Sequence, residues 1–371
     1  MDNDKLSIVA LNTIIDLVPK KIISLIKYFG SASNILTADI KDLQAVDTIS
    51  YNVAKIIKDL SIFDVANKEV SLAEKNNIKI LTYLDEDYPS RLKDIYDFPP
   101  VLYIKGNMLK SDEYSVSIVG SRRSTNYGAI VTENFCKYFA QNSITTISGL
   151  ASGIDTQAHK STLRNSGRTI AVLGNGLLEC YPAENKKLQD EIAEKGAIIS
   201  EFPLTRRALP VNFPRRNRIV AALSLTTIVI EAAEKSGSLI TAELACEYGK
   251  DVFAVPGPIF SKYSQGPNSL IKQGAFVALK PEDVVEQVCF LNDWVKKKAK
   301  KRKKEIEKNL PLISQSSINI LKMIQSSTIG MSLDEISLKT NINVSDVSVI
   351  LLDLELSGLI KAMPGQIYIR C

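Results

Sequence analysis

The spacing of apolar residues changes along the chain and separates three kinds of segment. Over residues 1–70 apolar positions recur three and four residues apart with little glycine, which predicts a small bundle of helices. From residue 78 the pattern changes to short strands and proline corners, with a predicted strand at Val101–Ile104. The middle third alternates almost wholly apolar runs with amphipathic stretches. This alternation is typical of a parallel sheet that helices cover on both faces.

The middle third therefore predicts an α/β fold built on a doubly wound parallel sheet. The predicted strands are Val116–Val119, Thr145–Ile147, Ile170–Leu173, Ala197–Ile199, Thr227–Ile230 and Val252–Val255. The predicted helices between them include Tyr127–Ala140, Asp155–Leu163, Asn185–Glu194 and Ile240–Tyr248.

The C-terminal part of the chain predicts a winged helix. Pro311 opens a module with three predicted helices at Gln315–Gln325, Ser332–Lys339 and Val344–Leu356. Two short apolar segments, residues 358–360 and 366–369, follow around a Pro-Gly turn and predict a hairpin.

Charge is concentrated in one run. The formal net charge is +5, but the run Lys296–Lys308 holds nine basic residues against two glutamates, so the rest of the chain sums to −2. Any affinity for nucleic acid must therefore come from a local patch. The run itself is a solvated linker, an exposed helix or an auxiliary strap that contacts phosphates.

Composition predicts a cytoplasmic protein without a metal or cofactor. Hydrophobic residues make up 45% of the chain, yet no segment approaches the roughly 20 apolar residues that span a bilayer. The first residues lack the features of a signal peptide. Five widely spaced cysteines and a single histidine predict reduced thiols and no metal site.

Glycine- and hydroxyl-rich turns follow five of the predicted strands. Because the carboxyl ends of parallel strands meet at one edge, these turns should lie together, where such folds bind ligands. Exposed amides at helix starts suit phosphates, although any single glycine can merely permit a tight turn. The turns are Gly120–Ser124, Ser148–Gly153, Gly174–Gly176, Ser236–Ser238 and Pro256–Pro258.

An arginine cluster follows an aromatic residue where a predicted helix begins. Arginine suits phosphate, and a neighbouring ring offers a face to an unpaired base. Taken alone, the cluster can also solvate a surface or bind a carboxylate. Together with the turns it favours a phosphate-binding site with no catalytic residue, formed by Gly120, Ser121, Arg122, Arg123, Ser124, Gly149, Phe213, Arg215, Arg216, Asn217, Arg218, Ser236, Gly237 and Ser238.

Two common nucleotide motifs are missing from the sequence. Gly120 is not part of a G-x-G-x-x-G fingerprint, and no Walker A motif is present. His159 lies about one helical turn beyond Asp155. An acid–base pair is conceivable there, but a histidine that bonds within the first turn of its own helix is the favoured interpretation.

The motifs together resemble the bacterial DNA-processing protein A (DprA/Smf) family over nearly the whole chain. The residues that carry the resemblance are Tyr88-Pro89, residues 119–123, residues 148–155, Ala158-His159, residues 169–174, Tyr181-Pro182, residues 213–218, residues 236–241, residues 253–257, residues 266–271, Gly274-Ala275 and residues 351–360.

The resemblance implies a protein that binds and shields single-stranded DNA during natural transformation and helps load a RecA-type recombinase. It implies a homodimer formed through an extended Rossmann-like domain. Phosphate contacts carry over to Gly120, Ser121, Arg122, Ser124, Arg216 and Asn217, and a base contact to Phe213. The implied domains are a helical SAM-like domain at 1–70, the Rossmann-like DNA-binding domain at 71–290, a Lys-rich linker at 291–309 and a winged helix at 310–371.

The sequence departs from the family in two places. Some members have a lysine just before the phenylalanine, where this chain has residues 209–212 without one; Arg206 or Arg207 is a candidate substitute. The N-terminal helices lack the glycines of a helix-hairpin-helix, so a structural or partner-docking role is expected for them.

Two other functions compete with DNA binding by the central domain. A nucleotide-processing enzyme of the phosphoribohydrolase type would use Glu231 or Glu243, but its Pro-Gly-Gly-x-Gly-Thr turn is missing. A winged-helix transcription factor is disfavoured because the third helix carries acidic residues and no basic one.

Overall fold

The structure is a computed structural model that describes residues 2–59, 61–309, 315–327, 330–356 and 359–370. The chain packs into two compact units, Met1–Val295 and Lys296–Cys371. The domain boundaries predicted at residues 70, 290 and 309 stay predictions. Pro311, Gly358 and Cys371 lie outside the described residues.

The described part of the first unit places nine strands in one sheet, in the order β1-β2-β6-β5-β4-β3-β7-β8-β9. Strands β3 to β9 are parallel, whereas β2 is antiparallel to both of its neighbours. The strands are β1 (Ile78–Thr82), β2 (Val101–Gly106), β3 (Ser115–Val119), β4 (Thr145–Ser148), β5 (Thr169–Val172), β6 (Ala197–Ser200), β7 (Thr226–Val229), β8 (Val252–Ala254) and β9 (Phe276–Val277).

Helices in the first unit lie before and between these strands. They are α1 (Asn3–Thr13), α2 (Pro19–Phe29), α3 (Ala32–Thr37), α4 (Ile40–Gln44), α5 (Tyr51–Ile57), α6 (Ser61–Lys75), α7 (Ser90–Lys93), α8 (Asn126–Gln141), α9 (Ile154–Arg164), α10 (Lys186–Lys195), α11 (Asn212–Leu223), α12 (Gly237–Glu247), α13 (Gln265–Lys272) and α14 (Pro281–Gln287). Helix α15 (Cys289–Asn309) contains the Lys-rich run, which is therefore helical.

The predicted fold class is confirmed. Every residue of β3 to β8 is buried, which explains why these strands carry no charged side chain. All six predicted parallel strands are present within one residue at each end. Helix α12 begins three residues earlier than predicted because the Ser236 side chain caps it, accepting a hydrogen bond from the Ser238 amide.

The N-terminal helices share an apolar core with one face of the sheet. Their buried residues, such as Ile8 and Leu11, belong to the same cluster as Tyr103 of β2, Ala171 of β5 and Ile198 of β6. The Asn12 side chain of α1 also donates to the carbonyl of Glu201, the residue directly after β6, so α1 lies next to the carboxyl end of that strand.

The second unit has the predicted winged-helix arrangement. It contains α16 (Gln315–Ser326), α17 (Leu333–Thr340) and α18 (Val344–Leu356), followed by the hairpin β11 (Ile360–Met363) and β12 (Ile367–Arg370). A short strand that the sequence did not predict, β10 (Met331–Ser332), pairs with β12. None of the helices in the described residues is both long and apolar enough to cross a membrane.

Candidate nucleic-acid interface

The order of the strands puts a topological switch point at the carboxyl ends of β3 and β7. The chain leaves β3 toward β4, β5 and β6, then returns to add β7 on the other side of β3. Ligands of doubly wound sheets bind in the crevice at this point. The turn Gly120–Ser124 follows β3 there, and Glu231 lies in the loop that follows β7.

Glu231 ties the two loops of the switch point together. Its backbone carbonyl accepts a hydrogen bond from the Ser121 amide at 2.6 Å. Its carboxylate accepts hydrogen bonds from the Thr125 amide at 2.9 Å and from the Thr125 hydroxyl. The side chain is buried, and Gly128 is required beside it because a Cβ at that position would lie 2.3 Å from the carboxylate. The carboxylate of Glu231 therefore has a structural use.

The turn Gly120–Ser124 presents basic side chains to solvent. Ser121 is buried, and its hydroxyl closes the turn by accepting from the Arg123 amide at 3.1 Å. Arg122, Arg123 and Ser124 are exposed at the start of α8. Helix starts favour anions, so this turn offers a suitable position for a phosphate.

Phe213 lies beside this turn on an aromatic surface. Its half-buried ring packs on Gly174, where a Cβ would lie 2.9 Å from the ring. The Arg122 guanidinium lies 5.3 Å from the centroid of the Phe213 ring, and the Tyr181 ring centroid is 5.4 Å away from it. The exposed Tyr181 is absent from the predicted site, although the sequence signals it as an aromatic residue after a glycine turn.

Arg216 points into the protein. Its guanidinium donates hydrogen bonds to the carbonyls of Gly149 and Val172, and its Nε donates to the Asn217 side chain at 3.1 Å. Burial lowers the pKa of Arg216 to about 10, and the nearby Asp155 carboxylate opposes this shift. A Cβ at Gly149 would lie 2.4 Å from the Arg216 guanidinium carbon, so Gly149 makes room for that group. This placement argues against the predicted phosphate contact by Arg216 and gives both residues a supporting role.

The other two arginines of the cluster lie on a different face of α11. Arg218 is 5% exposed and pairs with the Glu201 carboxylate and, at 3.5 Å, with Asp97. Internal carboxylates therefore hold this guanidinium, and its phosphate contact stays a prediction. Arg215 is half-buried, with its guanidinium 5.2 Å from the centroid of the Phe202 ring.

The turn Ser236–Ser238 is joined to α11 by Asn217. The side-chain Nδ2 of Asn217 donates to the Gly237 carbonyl at 3.1 Å, and its Oδ1 accepts from the Nε of Arg216. The hydroxyls of Ser236 and Ser238 lie 2.8 Å apart, and the Ser236 hydroxyl caps α12. Gly237 is exposed, so its backbone is the accessible part of this turn.

His159 is structural. It is fully buried, and its Nδ1 lies 2.7 Å from the hydroxyl of Thr169 on β5. The predicted bond within its own helix is therefore wrong: the partner comes from the neighbouring strand. Burial first, and then the positive charge of Arg216, lower the pKa of His159 to about 3.

The structure thus divides the residues of the candidate site into an exposed surface and a set of buried or half-buried residues that hold it in place. Arg122, Arg123, Ser124, Phe213 and the newly identified Tyr181 form the surface, which we call the Phe213 platform. Gly149, Arg216, Asn217 and Glu231 form the internal support, whereas Arg218 pairs with Glu201 and Asp97 on the other face of α11.

The chain is an α/β protein with a doubly wound sheet. Basic and aromatic side chains lie at the carboxyl ends of its strands and form a candidate phosphate-binding site at the switch point. A family model described as DNA recombination-mediator protein A matches residues 79–289, and one described as the DprA winged helix domain matches residues 319–366. The chain belongs to the DNA recombination-mediator protein A family.

Relatives and solved structures agree with this assignment. Protein Smf of Escherichia coli is 38% identical over 301 residues, which cover 80% of this chain and 78% of that protein. The X-ray structure of DNA processing protein A from Streptococcus pneumoniae matches with a TM-score of 0.56 and 36% identity, covering 73% of this chain and 98% of that one. DNA processing protein A from Helicobacter pylori, whose structure concerns its single-stranded DNA binding mode, matches with a TM-score of 0.52 and 31% identity over 59% of this chain and 96% of that one.

We predict that Arg216→Ala lowers the free energy of unfolding by about 3–5 kcal/mol, because it leaves the buried Gly149 and Val172 carbonyls without their donor and removes the charge that offsets the buried Asp155 carboxylate. Urea unfolding followed by circular dichroism measures the difference. Arg122→Ala is the control, since Arg122 is exposed and its loss should change stability by about 0.5 kcal/mol or less. Equal stability of the two variants would contradict the supporting role of Arg216.

We also predict that the protein loses stability as the pH falls below about 6.5, the ordinary pKa of histidine. The pKa of His159 is about 3 in the folded state, so the unfolded state binds more protons between these values. Between pH 7 and pH 5.5 His159 should account for a loss of about 1 kcal/mol. His159 is the single histidine of the sequence, so comparison with His159→Gln at both pH values isolates it. The same pH slope in both proteins would contradict the prediction.

Proposed function

We propose that this protein binds single-stranded DNA that enters the cell during natural transformation, shields it in the cytoplasm and helps load a RecA-type recombinase onto it. The observation that carries the proposal is the Phe213 platform, in which an exposed guanidinium lies over a half-buried aromatic ring at the switch point of the sheet. The single-stranded DNA binding mode described for the Helicobacter pylori relative supports it.

The chemistry of the platform fits an unpaired strand. A base can stack on the Phe213 or Tyr181 ring, and every base has a π-face, so little sequence preference is expected. Arg122 and Arg123 can neutralise the adjacent phosphates. A duplex keeps its base faces stacked inside the helix and cannot offer them to the rings.

We propose a binding protein without a catalytic step or a cofactor. The rival enzyme needs a carboxylate that is free to act on a nucleotide, but Thr125 occupies the Glu231 carboxylate with two hydrogen bonds. Glu243 lies exposed on α12, away from the start of that helix. These placements favour the recombination mediator.

The experiment that tests the function is a titration with single- and double-stranded oligonucleotides of equal length at several salt concentrations. We expect preferential single-strand binding, with log affinity falling against log salt by about 0.7 for each phosphate contacted. Phe213→Ala should weaken single-strand binding by about 1–3 kcal/mol through lost stacking. Arg122→Ala should reduce the slope of log affinity against log salt by about 0.7, the value for one phosphate contact.

The matched control in this titration is Arg164→Ala. Arg164, the last residue of α9, is also an exposed arginine, but it pairs with Glu133 of α8 and is not part of the platform. It should leave affinity unchanged. Equal affinity for duplex and single strand, or a Phe213→Ala variant that binds like the wild type, contradicts the proposal. Thermal unfolding of each variant separates a lost contact from a lost fold.

We further propose that two copies associate through the edge of the sheet at β9. This strand has a free edge within the described sheet, and Val277 and Leu279 are 43% and 75% exposed. Unpaired strand edges with apolar side chains are prone to associate.

Leu279→Arg is therefore expected to shift the protein toward the monomer, because it places a charge within the apolar contact. Sedimentation velocity over a concentration series measures the shift. Leu338→Arg is the matched control, since Leu338 on α17 is 82% exposed and lies in the other compact unit. If Leu338→Arg dissociates the dimer and Leu279→Arg does not, the contact lies elsewhere.

A further inference from the structure

A groove lies between the segment that joins α1 to α2 and the segment that follows β6. One wall consists of Ile14, Ile15 and Leu17, which connect α1 to α2, and the other carries Arg206, Arg207 and Arg215. The groove has a volume of about 430 Å³. We call it the α1–Arg206 groove.

The groove is continuous with the platform through the backbone. The Gly176 amide donates to the Arg206 carbonyl at 2.8 Å, and the Leu178 amide donates to the Leu204 carbonyl at 3.1 Å. The chain just before Gly176, at Gly174, is the surface on which the Phe213 ring packs. One loop therefore has the platform on one side and the groove on the other.

Both walls of the groove are held in place. The Asn12 side chain on α1 donates to the Glu201 carbonyl at 3.0 Å, and the Glu69 carboxylate on α6 accepts from the Leu204 amide. The N-terminal helices are thus fixed against the segment that carries the arginines. A groove with such fixed walls is ready for a ligand without a large rearrangement.

The groove carries excess positive charge. Its carboxylate, Glu201, is already paired with the buried Arg218. Burial lowers the pKa of Arg215, and the neighbouring charges of Arg218 and Arg206 lower it further while Glu201 opposes them. Within the described residues no hydrogen bond or ion pair holds the guanidinium groups of Arg206 and Arg207. Unneutralised like charges side by side favour an anion between them.

The apolar wall distinguishes the ligand from a simple anion. Ile15, on the wall that faces the arginines, is 65% exposed, and Leu209, which also lines the groove, is 39% exposed. A ligand that matches the groove has a flat apolar part and a negative part spaced along its length. A nucleotide unit of a flexible strand has both.

We propose that the α1–Arg206 groove is a second subsite for the same single strand, which passes from the Phe213 platform over the 174–178 loop into the groove. One base packs on the wall of α1 and its connection to α2, and the adjoining phosphates contact Arg206 and Arg207. The N-terminal helices thereby take part in strand binding through an apolar wall. This inference rests on the proposed function.

The test is a titration of the full chain with oligothymidylates lengthened one nucleotide at a time. The shortest strand that binds should occupy the platform alone, and a further gain in affinity should appear when the strand reaches the groove. Arg206→Gln/Arg207→Gln should abolish this second gain, a loss of about tenfold, and lower the salt slope by about 1.4 for the longer strands. Binding of the shortest strand should be unchanged.

Lys41→Gln/Lys55→Gln is the matched control, because it removes the same two charges from exposed positions on the N-terminal helices outside the groove. It should keep the second gain. Ile15→Asp tests the opposite wall and should cause the same length-dependent loss. This second variant keeps the proposal testable if the arginine variant fails to fold. Circular dichroism reports the fold of each variant.

The two hypotheses fail in different ways. If the wild type binds no single strand, or Phe213→Ala has no effect, the proposed function fails. If the platform binds as expected but both groove variants behave like the lysine control, the second subsite is overturned. Equal losses on short and long strands also overturn it, since they would place Arg206 and Arg207 at the platform.

Discussion

The buried guanidinium of Arg216 is the interaction on which the candidate site depends. It reaches from α11 under the carboxyl edge of the sheet and donates to Gly149, directly after β4, and to Val172, the last residue of β5. Two neighbouring strands are thereby held to one helix at the point where the loops begin. A buried cation is costly unless it is paired and hydrogen-bonded, and here carbonyl oxygens and the Asp155 carboxylate supply that compensation.

The exposed residues of the platform are positioned by this internal network. Because Arg216 fixes α11, Phe213 three residues earlier can pack on Gly174, which has no side chain to displace it. Asn217 extends the same network to the start of α12. On the other side of the switch point, Glu231 fixes the turn that carries Arg122. Base stacking and phosphate contact both need groups held in advance, so the buried polar residues determine how well the exposed ones can bind.

The fold could be predicted from the sequence to within one residue at most strand ends, because strands buried on both faces exclude charged side chains. Edge strand β9 could not, since Phe276 and Val277 are two exposed residues without a periodic signal. The location of the candidate site was also predictable from the turns, which the order of the sheet brings to one edge. The roles of the arginines were not. A sequence shows that Arg216 and Arg218 stand near Phe213. It does not show that the Gly149 and Val172 carbonyls bind Arg216 inside the protein, or that Glu201 pairs with Arg218.

The three arginines of α11 illustrate why such a motif has several interpretations. Positions three apart on a helix share a face, so Arg215 and Arg218 lie together near Glu201, whereas Arg216 points to the opposite side. Arg218 neutralises the Glu201 carboxylate, and Arg215 is left with its positive charge at the border of the α1–Arg206 groove. A chain whose charge outside the Lys-rich run sums to −2 can attract a strand only through such local excesses. The internal ion pair of Arg218 therefore bears on binding as well as on stability, because without it Glu201 would cancel the charge of Arg215.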